Sequence, residues 1–573
     1  RFYVYVYFSI SQRLDMSSRL KQIIIVSIVS ASSLVFISAA LAPSFFEVTK
    51  QLDIFTTFYR ELNTYYVDTI NPTQIIQIGI SEMAQSLDPY TDFIPEDDIQ
   101  EYRQQTTGRY GGIGSLISTR GDFVIITDPY EDFPAAKAGL RPGDKILEID
   151  GKSAKKQNSD FVSKTLRGKA GTSVVLKIAR PQSDGTDREL NVTLTREEIK
   201  IKNVPYYGIL KDEIGYIRLG SFTDRAGLEV RNAMIAMIAK YKIKGLVLDL
   251  RGNPGGLLNE AINVAACFVD KGTEIVSTKG RIREQVSSYT TNLDPVDTKL
   301  PLTILVDEGS ASAAEIVSGA LQDLDRAVVV GEKTFGKGLV QSTHSLPYNA
   351  KLKITTAKYY IPSGRCIQAI NYANKKEDGT VNKLPDSLKV AFKTKGGRIV
   401  YDGVGIEPDV KNEEDEKVSP VAIALYVQNA IFDYAIKYRA QKQSIAPAKN
   451  FKLTDEEYLE FVKYVSGLKD FKYETESEKA LDAVKKAAEK EKLFNALSKE
   501  YTNLSKKLEH DKTNDVMKDK KNIKQILEQE ICAHFYLGTG RIENTIQSDP
   551  AITKALNVVS SNENYSKILR TKN

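Results

Sequence analysis

The chain is predicted to be a multi-domain α/β and α+β protein. Its parts are a helical N-terminal unit, a small β-domain, a layered α/β core and a helical C-terminal appendage. Three observations predict this. At about 150 residues per domain, 573 residues make roughly three to four domains. Apolar spacing changes along the chain from helical to alternating, then to both in succession, and finally back to helical. Between about residues 204 and 410 strands and helices alternate, the mark of a layered α/β core.

Composition removes several function classes. Charged residues make up 27% and hydrophobic residues 42%, which excludes a disordered or fibrous chain. Lys and Arg total 79 against 74 Asp and Glu, so the net charge of +5 makes no case for a nucleic-acid partner. Cys267, Cys366 and Cys532 are far apart and show no C-x-x-C spacing, which argues against a disulfide framework and a zinc site. They read as small buried apolar residues. The histidines are His344, His510 and His534, so little histidine chemistry is available. No metal or other cofactor is called for.

Residues 1–15, before Met16, read as an untranslated or disordered extension. Residues 16–45 carry Met16-Ser17-Ser18-Arg19-Leu20-Lys21, an apolar run over 23–42, and Ala40-Leu41-Ala42 before Pro43. A charged start, an apolar run and a small-x-small site make an export signal, cleaved or kept as a membrane anchor. The rest of the chain is then exported to the periplasm or cell envelope. Residues 46–105 form the helical unit, with stripes Ile54, Phe58, Leu62, Tyr65 and Ile76, Ile80, Met83. Asp88-Pro89 ends its second helix.

Residues 106–198 read as the β-domain. Tyr110-Gly111-Gly112-Ile113-Gly114 opens a strand, 123–126 is another, and 134–139 is a short helix stopped by Gly139. Residues 145–149 alternate before the hairpin signal Asp150-Gly151, and strands follow at 173–179 and 190–194. Residues 199–412 form the α/β core, with strands at 214–219, 245–250, 302–306 and 327–330 and helices at 226–240, 257–268 and 312–324. Residues 413–450 read as a linker and helix, opening on the charge run 413–417. Residues 451–573 read as a helical domain of unknown role, with an apolar stripe Leu481, Val484, Ala488.

Chemistry is expected in two loops that follow core strands, where α/β sites form. Asp307-Glu308-Gly309-Ser310-Ala311-Ser312-Ala313-Ala314-Glu315 opens a helix. A serine there lies beside unpaired amides that stabilise an oxyanion, although a serine N-cap has the same appearance. Gly331-Glu332-Lys333-Thr334-Phe335-Gly336-Lys337-Gly338 imitates a phosphate loop, but Gly338 stands where a hydroxyl must hold Mg²⁺, and a strand follows. A lysine in such an apolar loop has another use, since desolvation lowers its pKa and makes it a general base.

Together these segments resemble the carboxyl-terminal processing (tail-specific) proteases over residues 50–410. The resemblance also rests on Leu87-Asp88-Pro89-Tyr90, Leu250-Arg251-Gly252-Asn253-Pro254-Gly255-Gly256 and Gly403-Val404-Gly405-Ile406-Glu407-Pro408-Asp409. It implies a serine endopeptidase with a core of the ClpP/crotonase type. Ser312 matches its nucleophile, Lys337 its general base and Gln341 the residue that holds the base. The N–H groups of Gly256 and Ala313 match its oxyanion hole, and Asp323 matches a supporting acid of structural role. Gly252 departs from the Asn of many relatives, and Pro254 has no donor to offer.

Residues 106–198 resemble a PDZ domain. Gly111, Gly112, Ile113 and Gly114 would then present amides to a peptide's terminal carboxylate, and the peptide would add as a strand. Ile113 and the strand 123–126 are expected to build an apolar pocket, so the partners expected are proteins or peptides with apolar C-termini. No resemblance covers 411–573, and an oligomer or an adaptor protein stays open. Two other readings remain. One is a catalytically silent peptide-binding adaptor. The other is a Ser–His–Asp hydrolase recruiting His344, for which no G-x-S-x-G marks a nucleophile.

Overall fold

The computed structural model describes residues 45–375, 381–383, 389–412, 418–508 and 512–570. The extension 1–15, the apolar run 23–42, the charge run 413–417 and His510 lie outside the described residues. Among those described, no helix is long and apolar enough to cross a membrane. The chain divides into two compact units between Ser86 and Leu87.

The first unit holds a helix over 45–65 and the helix Pro72–Gln85. Asn71 starts the second by accepting the Gln74 N–H at 3.2 Å, with Pro72 where its missing N–H costs nothing. The expected apolar stripe is not buried: Ile54, Phe58, Tyr65 and Met83 are each more than half exposed. The division into compact units falls before the expected domain boundary at 105. Leu87 onward belongs to the second unit, where the Asp88 carboxylate takes the N–H groups of Tyr90 and Thr91, each at 2.8 Å. That turn launches the strand Asp92–Ile94, which pairs antiparallel with Lys351–Tyr360.

The β-domain is a sheet in the order Ser115–Arg120, Phe123–Pro129, Lys145–Ile149, Ser173–Pro181, Asp187–Thr195. Ser115–Arg120 lies at its edge. The helix Ser159–Leu166, which the sequence pattern does not announce, closes the core with Val162 and Leu166. A ribbon of Arg109–Gly112 and Glu197–Lys200 brings the two ends of the domain together.

The core sheet runs Tyr206–Ile209, Ile214–Arg218, Gly245–Asp249, Leu302–Val306, Val328–Gly331, Val410–Lys411, parallel after the first strand. Its central strands are buried along their whole length, as parallel strands covered on both faces must be. The helices Ala226–Tyr241, Leu258–Ala265 and Ala313–Asp323 cover one face. The C-terminal helix Pro550–Val559 covers the other, packing Ile552, Ala555 and Val559 against Ile214, Val247, Leu305 and Val330. A second sheet, built on Lys351–Tyr360 with Leu339–Ser345, Asp92–Ile94 and Glu274–Gly280, stands beside it.

The stretch 413–450, expected as a linker and helix, holds the helices Pro420–Val427 and Ala430–Gln441. Leu425, Ile431, Tyr434 and Tyr438 share one buried core with Tyr458, Phe461, Leu527 and Ile531. Of the expected stripe at 481–488, Ala488 is buried and Val484 is exposed.

Candidate active site

Three consecutive parallel strands end at one edge of the core sheet, and the loops leaving them carry the candidate residues. The strand Gly245–Asp249 leads to the loop that ends in Gly256. Leu302–Val306 leads to Ser312, and Val328–Gly331 leads to Lys337. Ser312 occupies the turn before the helix Ala313–Asp323 with φ 53° and ψ −112°. A non-glycine residue held there stores strain of about 1–3 kcal/mol, which the surrounding contacts must offset.

The restraint is Glu315, one turn into the same helix and fully buried. Its Oε2 accepts the N–H of Ser312 and the N–H of Lys337, both at 2.8 Å. Its Oε1 accepts the Gly336 N–H at 2.7 Å and the Thr334 hydroxyl at 2.5 Å. Because one oxygen holds both, the backbone nitrogens of Ser312 and Lys337 lie no more than about 5.6 Å apart. The loop that imitates a phosphate loop therefore does cradle an anion, but the anion is a carboxylate of this chain. The Phe335 N–H adds a further link to the Ser310 carbonyl at 3.1 Å.

Sequence reasoning gives Glu315 no role, although Ser312-Ala-Ala-Glu315 has the spacing of a capping box. Burial pushes its pKa up, and its four hydrogen bonds oppose that rise. Glu315→Gln should turn an amide donor toward N–H groups. It should destabilise the fold by about 2 kcal/mol or more and lower kcat/KM by at least about tenfold, read by urea denaturation and peptide hydrolysis. Unchanged values in both would remove Glu315 from the site.

The Lys337 Nζ lies 4.2 Å from the centre of the Tyr90 ring, which the Asp88 turn positions. Burial lowers the Lys337 pKa, and the charge of Lys353 lowers it further, against the raising effects of Glu315 and Asp88. Gln341 lies next to a bulge in Leu339–Ser345 and donates to Thr355 Oγ1 at 3.2 Å. Thr355 in turn donates its N–H to Thr91 Oγ1. Among the described residues no hydrogen bond joins Gln341 to Lys337 or Lys337 to Ser312.

Gly255 runs against the Ser312 turn. A Cβ there would lie 2.7 Å from the Ala311 oxygen and 2.8 Å from both Ser312 Cβ and Ala313 N, and φ is +96°, so only glycine fits. Gly255 and Leu257 bind Phe222 on both sides, which leaves the intervening Gly256 N–H outside the hydrogen bonds found among the described residues. The Ala313 N–H is outside them as well. Asp323 is remote, at the far end of the helix. It pairs with Arg365 at 2.8 Å and accepts the Ser363 N–H at 3.0 Å. His344 is exposed on its strand. Among the described residues no group of three His, Cys, Asp or Glu side chains is placed to hold a metal.

In the β-domain, Gly111 and Gly112 belong to the strand paired with Glu198 and Glu197, and Ile113 is buried in the domain core. A groove of about 220 Å³ lies between the edge strand and the helix Ser159–Leu166, lined by Gly112, Ile113, Leu116, Ile117, Leu166 and Arg167 among others. The strand 123–126, expected as a pocket wall, does not line this groove. Val124 and Ile126 are fully buried in the core, and that strand lies behind the edge strand.

The sequence matches peptidase family S41 over residues 213–375 and the PDZ domain over 111–194. Residues 421–559, where no motif suggests a relative, match "Probable PDZ-protease, C-terminal helical domain". A carboxy-terminal-processing protease of Bartonella bacilliformis is 39% identical over 347 residues, 59% of this chain and 79% of that protein. A "Probable CtpA-like serine protease" of Staphylococcus aureus is 33% identical over 420 residues, 72% of this chain and 81% of that protein. A solved photosystem II D1 C-terminal processing protease is 27% identical, covering 63% of this chain and 92% of that one at a TM-score of 0.34. The chain belongs to the carboxy-terminal-processing proteases of peptidase family S41, serine-type peptidases that here combine a PDZ domain with a C-terminal helical domain.

Proposed function

We propose that this chain is an exported endopeptidase that reads protein C-termini with its PDZ domain and cleaves peptide bonds through Ser312 and Lys337. The observation that carries the reading is the shared Glu315 oxygen, which ties the nucleophile turn to the lysine loop. Neutral Lys337 takes the Ser312 hydroxyl proton as Oγ attacks the scissile carbonyl carbon. The N–H groups of Gly256 and Ala313, without a hydrogen bond among the described residues, receive the oxyanion, and the helix start adds its dipole. Collapse breaks the C–N bond, and the leaving amine takes the proton from Lys337. Water then attacks the ester with Lys337 again as base, releasing the acid and restoring Ser312. The Tyr90 face and the Asp88 and Glu315 charges favour the ammonium formed at each proton transfer. Gln341 fixes the strand that follows the lysine loop, and Asp323 braces the far end of the nucleophile's helix.

In the PDZ domain the edge strand Ser115–Arg120 is open to receive a peptide strand. Ile113, Leu116, Ile117 and Leu166 suit an apolar terminal side chain, and the turn at Ile113–Gly114 suits its carboxylate. Export rests on the run over 23–42, which closes on the small-x-small site Ala40-Leu41-Ala42. The test is an unstructured polypeptide with a free or an amidated apolar C-terminus. Amidation should weaken binding by about 1.5–3 kcal/mol, and a serine-directed fluorophosphonate should label Ser312. Equal kcat/KM for both polypeptides would reject carboxylate recognition. Binding without cleavage or labelling would favour the silent adaptor.

A further inference from the structure

Asp549 is 298 residues from Arg251 in the chain, yet its Oδ2 lies 2.7 Å from the Arg251 Nη1. Arg251 stands at the start of the loop that ends in Gly256. Its other guanidinium nitrogens bind Asp249, Nε at 3.0 Å and Nη2 at 2.7 Å. Its backbone is held in the same network. The Arg251 N–H reaches Asp249 Oδ1 at 3.0 Å, and its carbonyl accepts from Arg218 Nη2 at 2.6 Å. Arg218 Nη1 also pairs with Asp249 at 2.7 Å, and the Tyr216 hydroxyl donates to Asp249 at 2.8 Å.

Asp249 alone cannot balance two guanidinium groups, and it has no exposure to solvent. Asp549 supplies the second negative charge, so two acids meet two arginines. The guanidinium fork is then gripped from both sides, which fixes its plane as a single partner would not. From there the loop passes Asn253, whose side chain reaches the Leu219 carbonyl at 2.8 Å, and Gly255, packed against Ser312.

Asp549 is itself rigidly held. Its Oδ1 caps the helix Pro550–Val559 by accepting the N–H groups of Ala551 and Ile552, at 2.9 and 3.1 Å. That helix packs across the second face of the core sheet. One oxygen serves the cap and the other serves Arg251.

We propose that Asp549 is a positioning residue of the peptidase, holding Arg251 and through it the loop that presents the Gly256 N–H to the oxyanion. The C-terminal helical domain is then part of the catalytic unit. The inference rests on the Ser312 reading above, and the experiment separates the two.

Asp549→Ser keeps a capping oxygen and removes the charge, while Asp549→Asn keeps the shape. With sites titrated by a fluorophosphonate, kcat per titrated site on a peptide should fall about 10–100-fold, the range for a displaced catalytic group, with KM within about twofold. Asp549→Glu should recover part of the loss. Ile552→Ala, in the same helix but away from Arg251, should lower the melting temperature and leave kcat per titrated site unchanged. Affinity for a peptide boronate, which forms a tetrahedral adduct on serine, should fall with kcat in Asp549→Ser. If Asp549→Ser is unfolded at the assay temperature, the same measurements on Asp549→Asn decide. Wild-type kcat per site in the folded variant, beside an inactive Ser312→Ala, overturns the proposal. An active Ser312→Ala instead overturns the serine reading.

Discussion

Ser312→Ala should lower kcat on an unstructured polypeptide by about four orders of magnitude or more, and Ser310→Ala by less than about tenfold. The two serines are two residues apart, and the sequence alone does not choose between them. Their surroundings do. Ser310 is fully buried, its hydroxyl donating to the Leu250 carbonyl at 2.9 Å and accepting the Asp307 N–H at 3.0 Å. It is a brace between the two loops. Its loss leaves the Asp307 N–H without its partner, while the Leu250 carbonyl keeps the Asn253 N–H at 3.2 Å, so the cost is about 1 kcal/mol of stability and the Ser312 hydroxyl is untouched. Ser312 stands at the strained turn beside the Ala313 N–H, which has no hydrogen bond among the described residues. The check is peptide hydrolysis with a thermal melt on each variant. An inactive but folded Ser310→Ala, with Ser312→Ala still active, would reverse the assignment.

Lys337→Ala and Lys337→Arg should both be inactive, because guanidinium does not give up its proton. The wild-type rate should carry the sign of a base. The pKa is lowered from 10.5 by burial and by Lys353, so the neutral fraction rises tenfold per pH unit up to the lowered value and is flat above it. Stability follows the same sign. Between the lowered pKa and 10.5 the unfolded chain binds more protons than the folded one, so stability rises with pH across that window. Lys337→Met should remove this dependence and gain most in the neutral range, where wild type must bury an ammonium. His344→Ala, exposed and distant in role, should stay active. A pH–rate profile and paired denaturation midpoints test both halves, and an active Lys337→Arg enzyme would mean another base.

What the sequence makes legible follows from range. The strand 245–250 and the helix at 312–324 are plain because their apolar residues are local and fully buried. The candidate loops are plain because their residue types sit at fixed spacing after strands. Lys351–Tyr360 is less visible: Lys351, Lys353 and Lys358 interrupt any apolar pattern, and most of the strand is half-buried. The wall of the β-domain groove is hard to read for a related reason. Ser115–Arg120 is polar and half-exposed, so the apolar run behind it draws the eye, although its side chains are spent on the core. The helix Pro550–Val559 is readable as a helix, but its partner strands lie more than two hundred residues upstream, and spacing carries no such information.

That last helix has a consequence for how the molecule comes into being. Synthesis runs from the N-terminus, so the strands through Val328–Gly331 emerge long before Pro550–Val559. Until then one face of the sheet, with Ile214, Val247, Leu305 and Val330, has nothing to cover it. Ser312 and Lys337 are by then already translated, but the platform beneath them is half built. The sheet that carries the Ser312 and Lys337 loops is therefore closed on that face only after Pro550–Val559 has been made, so the C-terminal helical domain completes the core rather than being appended to a finished one.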